Sequence, residues 1–198
     1  MTKTSQKVSR NDSRVRGNSS SRNKLLWITG LGAAIIATTA LAFIVFAPPT
    51  VPTLDGVIVY NNLSRDHSEA PQTYAQTPPA GGVHSAEWQN CGFYDQPVRN
   101  EKVVHSLEHG AVWIAYQPDL PVEAIDRLRS LARGRTHVLV APYPNLPKPV
   151  VATAWELQLP LDDVADPRLS LFVSRYEKGP QTPEPGALCT GGIGTPLS

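Results

Sequence analysis

His105 and His109 stand four residues apart with Glu108 between them, in a run from Val103 to Tyr116 that halts at Gly110 and passes straight into an apolar segment. At 3.6 residues per turn, positions i and i+4 of a helix lie about 40° apart on one face, so the two imidazoles would converge. In an extended chain the same residues stand about 13 Å apart and cannot share an ion. A helix over 101–109, capped by Asn100 and stopped by Gly110, is therefore the condition for a two-histidine site. His84 extends the set and His67 is an outer candidate, which puts four of the five histidines within a 43-residue span. Neutral imidazole suits zinc or copper, and Glu108 then serves as a ligand, as the partner that orients a ligating ring, or as a base.

The run His105-Ser106-Leu107-Glu108-His109 also matches the HxxEH pattern of inverted zinc proteases. A helix of about nine residues with no second ligand helix after it argues against that chemistry. Ser106 beside His105 is not the start of a triad, because adjacent helical residues point apart. No residue is thus assigned as a nucleophile. The plain alternative is that His105 and His109 hydrogen-bond to nearby carbonyls and to Glu108 and merely hold a turn. His137, opening an apolar strand, reads as structural, and Arg99 and Lys102 read as solvated charges. Trp88, in a loop beside Cys91, and Tyr94 are candidates for lining a pocket.

Positioning these residues falls to an α+β domain with a small mixed sheet. Gly56 to Tyr60 is a candidate first strand, rich in β-branched residues. Residues 61–100 carry Pro71, Pro78-Pro79, Gly81-Gly82, Gly92 and Pro97 and read as irregular loops, where binding groups tend to be displayed. After the apolar strand with Trp113, Asp119 and Pro121 open a helix whose stripe is Val122, Ile125, Leu128 and Ala132, closed by Gly134. His137 to Ala141 returns as a strand, giving a βαβ unit. Pro142 to Pro149 is a loop, and Val150 to Trp155 is another strand, so Trp113 and Trp155 both read as core. Asp166 caps a further helix with Pro167 as its first residue; Leu169, Phe172, Val173 and Tyr176 form its apolar stripe and Gly179-Pro180 ends it.

The two cysteines, Cys91 and Cys189, are 98 residues apart, so neither belongs to a CxxC pair. A structural disulfide is the direct reading, with metal ligation or free thiols as the alternatives, and it requires an oxidising compartment. It would staple the Pro- and Gly-rich tail back toward the Cys91 loop.

The compartment has its own signal. Residues 1–24 hold seven Lys/Arg against Asp12 alone and almost no large apolar side chain, which predicts a disordered basic tail. From Leu25 to Ala47 no residue is charged, a length that spans about 30 Å of hydrocarbon, and Pro48-Pro49 ends it. The positive-inside rule keeps the basic tail cytoplasmic and puts the rest, after a linker at 48–54, outside as a single-pass plasma-membrane protein. Cleavage near Ala40-Leu41-Ala42 is the rival, disfavoured by the apolar residues Phe43 to Phe46 that follow. Downstream of the tail lie 11 of the 18 basic and 16 of the 17 acidic residues, an acidic balance that argues against nucleic-acid binding.

Several runs taken together resemble the DUF3105 proteins, a bacterial group of uncharacterised function. The likeness rests on Pro78-Pro79-Ala80-Gly81-Gly82-Val83-His84, Gly92-Phe93-Tyr94, Val104 to Val112, Val151 to Trp155 and Gly179-Pro180, and it covers about residues 55–192. The proline loop departs from the family form, nearer PPTSGPH, at Ala80, Gly82 and Val83. The resemblance implies a membrane-anchored or secreted domain at 55–192, with a flexible end at 193–198, and carries no activity with it. The residues favour binding of a metal ion or polar ligand by His84, His105 and His109 with an unknown envelope partner. A metal-dependent hydrolase or redox enzyme using Glu108 is one alternative, and an envelope interaction module with structural histidines is the other.

Overall fold

Odd and even residues of Val112–Tyr116 face opposite sides of a sheet, and both sides are apolar, so this strand has to be covered twice. A computed structural model describes residues 53–197 and shows how that is done. The strands are β1 (Ile58–Val59), β2 (Gly92–Phe93), β3 (Val112–Tyr116), β4 (Val138–Pro142), β5 (Val150–Ala154) and β6 (Leu157–Leu161), in the order β1-β6-β5-β3-β4-β2. The pairs β3–β4 and β2–β4 are parallel, and β1–β6, β5–β6 and β3–β5 are antiparallel, so the sheet is mixed. The helices are α1 (Asn100–Glu108), α2 (Val122–Ala132) and α3 (Pro167–Tyr176).

Val112, Ile114 and Tyr116 pack with Val138, Val140 and Leu159 against Leu128 of α2 and Leu169, Phe172 and Val173 of α3. Trp113 and Ala115, one residue out of phase, pack with Leu139, Ala141 and Val151 against Val103, Val104 and Leu107 of α1. The domain is therefore three layers, with α1 alone among the helices on its side. The α+β expectation holds, and the parallel β3–α2–β4 unit is as the periodicity predicts.

Two element ends differ from expectation. Arg99 rather than Asn100 occupies the capping position before α1, with no side-chain cap, and the Asn100 amide reaches the Tyr143 hydroxyl instead of capping. Pro121 rather than Asp119 precedes α2, with no side-chain cap. Strand β6 has no counterpart in the sequence reading, because Pro160 sits within it and the turn before it has no glycine. Glu156 takes the left-handed conformation there (φ 61°). Beyond Leu157 and Gln158, the residues paired with β1, β6 has no outer strand partner among the described residues, an edge position that tolerates proline.

Helix α3 begins as its sequence requires. The Asp166 carboxylate accepts from the Arg168 N–H at 2.9 Å, and Pro167 occupies the first turn. Hydrogen bonds from the Arg168 side chain hold this carboxyl below its ordinary pKa of 3.8. A depressed folded value gives stability that is present above the unfolded pKa and is lost as pH falls through the folded one. Asp166→Ala is expected to cost about 1 kcal/mol at neutral pH, with the gap between parent and variant closing in acid, as read by urea unfolding.

The span expected at residues 25–47 and the basic tail before it lie outside the described residues. Among the described residues no helix is long and apolar enough to cross a membrane. The C-terminal end, expected to be flexible from residue 193, instead pairs with the body: Asn90 N–H donates to Ile193 O at 2.8 Å and Leu197 N–H to Phe93 O at 2.7 Å.

Candidate functional site

From Lys102 onward helix α1 is buried on every side, and Lys102, His105, Ser106 and Glu108 are buried along with its valines. Buried polar groups are expensive unless each finds a partner, so this helix must be surrounded by chain that supplies them. That chain is the irregular segment 65–91. Ser85 N–H donates to Glu101 O at 3.2 Å, Gln89 N–H to Lys102 O at 3.1 Å, and Ser106 Oγ to Gln89 O at 2.7 Å, laying residues 85–89 along the helix. A bridge between residues 66–68 and 84 (Ser68 N–H to His84 O, 2.7 Å; His84 N–H to Asp66 O, 3.0 Å) then places His67 beside His84.

Lys102 corrects the expectation of a solvated charge. It is only 4% exposed, and its Nζ donates to Ser85 Oγ at 2.6 Å and to Glu87 Oε2 at 2.8 Å. The stem is covered by the loop, and the ammonium is met by oxygen at the loop's edge.

The four histidines that the sequence groups together do come together. The ring centroids of His105 and His109 are 4.6 Å apart, those of His67 and His84 4.6 Å, His67 and His105 5.0 Å, and His84 and His105 5.1 Å. Three of the rings are aimed by the same device, in which Nδ1 lies on a backbone carbonyl. His84 Nδ1 is 2.8 Å from Gly82 O, His105 Nδ1 2.7 Å from Ser85 O, and His109 Nδ1 2.7 Å from Leu188 O. A carbonyl only accepts, so each Nδ1 carries the proton and each Nε2 is left with its lone pair for another task. Burial pushes the His105 pKa below its ordinary 6.5, and the neighbouring imidazoles push it the same way against the Ser85 hydrogen bond. At neutral pH this ring is therefore uncharged, the state in which imidazole binds metal.

Two carboxylates close the arrangement. Glu108 Oε2 is 2.9 Å from His84 Nε2 and 3.8 Å from His67 Nε2, while its Oε1 accepts from Arg65 Nε at 3.0 Å. Both nitrogens of His84 thus face oxygen, Nδ1 the Gly82 carbonyl and Nε2 the Glu108 carboxylate, and a cation between Nε2 and that carboxylate would be held from both sides. Glu184 Oε2 is 3.6 Å from His109 Nε2. The ligand atoms of His67, His84 and His105 all lie within 4.8 Å of one another, and so do those of His105, His109 and Glu184. Around a tetrahedral ion with metal–nitrogen bonds of about 2.0–2.1 Å, ligand atoms stand about 3.4 Å apart, so either triad reaches that geometry with a contraction of at most about 1.4 Å.

Trp88 leans over the cluster, its ring 4.9 Å from His109 and 5.7 Å from His105. Trp155, read from sequence as core alone, also meets His84 edge-on at 5.9 Å. Tyr94 is elsewhere: it is buried near the disulfide with its hydroxyl donating to Asn90 O at 2.7 Å, so it lines no part of this cluster. His137 is structural as read, with Nε2 on Ala187 O at 2.9 Å and Nδ1 on Thr136 Oγ1 at 2.8 Å.

Cys91 and Cys189 form a disulfide, and there is no free cysteine among the described residues, so a thiolate ligand is out. The staple brings the tail to the site. Leu188 O, which aims His109, directly precedes Cys189, and Glu184 N–H donates to Glu108 O at 3.0 Å. Gly110 makes room for this packing at φ +95°, where a Cβ would stand 2.8 Å from Thr182 Oγ1 and 3.1 Å from Lys178 Cα. Glu184 and Arg65 are the functional side chains that the sequence reading passed over. The only signal for Glu184 is its place five residues before a cysteine stapled toward Cys91.

Residues 67–191, well over half of the chain, match the family model described as "Protein of unknown function (DUF3105)". No curated protein and no solved structure is significantly similar to the chain.

Proposed function

The chain belongs to the DUF3105 family, and on that premise we propose that its domain is a binding module for a single transition-metal ion, zinc or copper, held outside the cytoplasm on a membrane anchor. The observation that carries the reading is the set of three buried imidazoles, each with Nδ1 fixed on a backbone carbonyl, whose ligand atoms fall with those of His67 and Glu184 into two close groups. A ligating histidine held through its other ring nitrogen is the usual construction of a metal centre. Hydrogen-bonded structural histidines need no such convergence of four rings. An all-nitrogen and carboxylate donor set with no thiolate suits zinc or copper.

Binding is preferred to catalysis because Glu108, the one candidate base, is committed on both oxygens to Arg65 and His84 and is 1% exposed. Anchoring rests on the uncharged stretch 25–47 behind a basic tail, and the disulfide is the bond expected of a domain on the oxidising side of that membrane. A protein partner in the envelope belongs to the same reading, with no surface yet assigned to it.

Elemental analysis of the full chain, stripped with chelator, reloaded with zinc or copper and desalted, tests this against His105→Ala. The parent is expected to retain one ion per chain, and the variant to bind more than about 100-fold more weakly. Equal and near-zero metal in both would leave the histidines with a structural role alone.

A further inference from the structure

We infer that the cluster is two alternative ion seats sharing His105, so that one ion can occupy either and both cannot be filled at once. This rests on the metal-binding reading above and deepens it. The first seat is His67, His84 and His105, with Glu108 at its edge, and the second is His105, His109 and Glu184 under Trp88. His105 belongs to both triads but has one nitrogen to give, since its Nδ1 is engaged with Ser85 O at 2.7 Å. One imidazole lone pair binds one ion.

The seats differ in chemistry and in access. Three imidazoles make the first a nitrogen site, whereas two imidazoles and a carboxylate make the second a mixed site with more tolerance for harder ions. Each seat has one ligand open to solvent, His67 with a side chain 43% exposed and Glu184 with one 46% exposed. The other members are nine-tenths buried or more. The two open ligands come from different segments, the loop ahead of α1 and the disulfide-stapled tail. An ion entering beside one exposed ligand can therefore pass to the other by pivoting on His105, which is the geometry of a hand-over site.

Cobalt serves as the probe, because its d–d spectrum reports the ligand set where zinc is silent. The full chain is titrated as parent, His67→Ala, Glu184→Ala and the double variant; both residues are exposed, so the fold is not threatened. The expected result is one cobalt in the parent. Each single variant should also bind one, within about tenfold of the parent affinity and with spectra that differ from each other, and the double variant should bind more than about 100-fold more weakly. Two ions in the parent would overturn the sharing of His105. A 100-fold loss in either single variant would overturn the two-seat arrangement in favour of one composite site. No cobalt in the parent would instead overturn the metal reading itself.

Discussion

Replacing Cys91 and Cys189 together by serine is expected to lower stability by about 4 to 5 kcal/mol and to erase one ion seat while leaving the other. The first effect is chain entropy, since a crosslink closing a loop of 98 residues removes that much freedom from the unfolded state. The second follows from what the staple holds. Cys91 N–H donates to Cys189 O at 2.8 Å, and Leu188, the residue before, provides the carbonyl that aims His109. With the tail released, His109 loses its orientation and Glu184 its place, whereas His67, His84 and His105 are held by the loop and helix. The double serine variant should therefore unfold at lower urea and bind cobalt with the spectrum of Glu184→Ala. A variant that keeps the parent spectrum would show that the tail contributes nothing to the site.

Glu108→Gln separates the binding account from a catalytic one. The glutamine keeps the shape and an acceptor for Arg65, so the fold should lose no more than about 1 kcal/mol. Its amide, however, becomes a donor facing His84 Nε2, 2.9 Å away in the parent, and so occupies the lone pair an ion would need. The negative charge that favours a cation at this edge is removed as well. Affinity of the His67, His84 and His105 seat, isolated in the Glu184→Ala background, is expected to fall by about 10- to 100-fold, measured by competition with a chelator. If Glu108 were a base acting on a metal-bound water, the same variant would retain its metal at parent affinity.

How much of this could be read from the chain depends on which contacts the sequence can express. The convergence of His105 and His109 is a property of helical spacing, and it was legible because Gly110 marks where the helix ends. The α3 cap was legible because Asp166-Pro167 is a local signal. The disulfide followed from counting cysteines and from the uncharged stretch 25–47, from which an oxidising compartment was expected. The carbonyls of Gly82, Ser85 and Leu188 that aim three rings were not legible, because every residue has one and only the folded path selects which are used. Glu184 lies in a segment without periodicity and reaches the site only through the staple. Lys102 looked solvated because the loop that buries it is distant in sequence and has no regular structure. The division of the cluster into two triads was equally hidden, since it depends on Ser85 O taking one nitrogen of His105.

X-ray absorption on the zinc- or copper-loaded full chain goes most directly to the central claim. The account predicts nitrogen and oxygen scatterers at about 2.0–2.1 Å with the multiple scattering of at least two imidazoles, and both features lost in His105→Ala. An ion with no imidazole signature, or one whose spectrum His105→Ala leaves untouched, would contradict it.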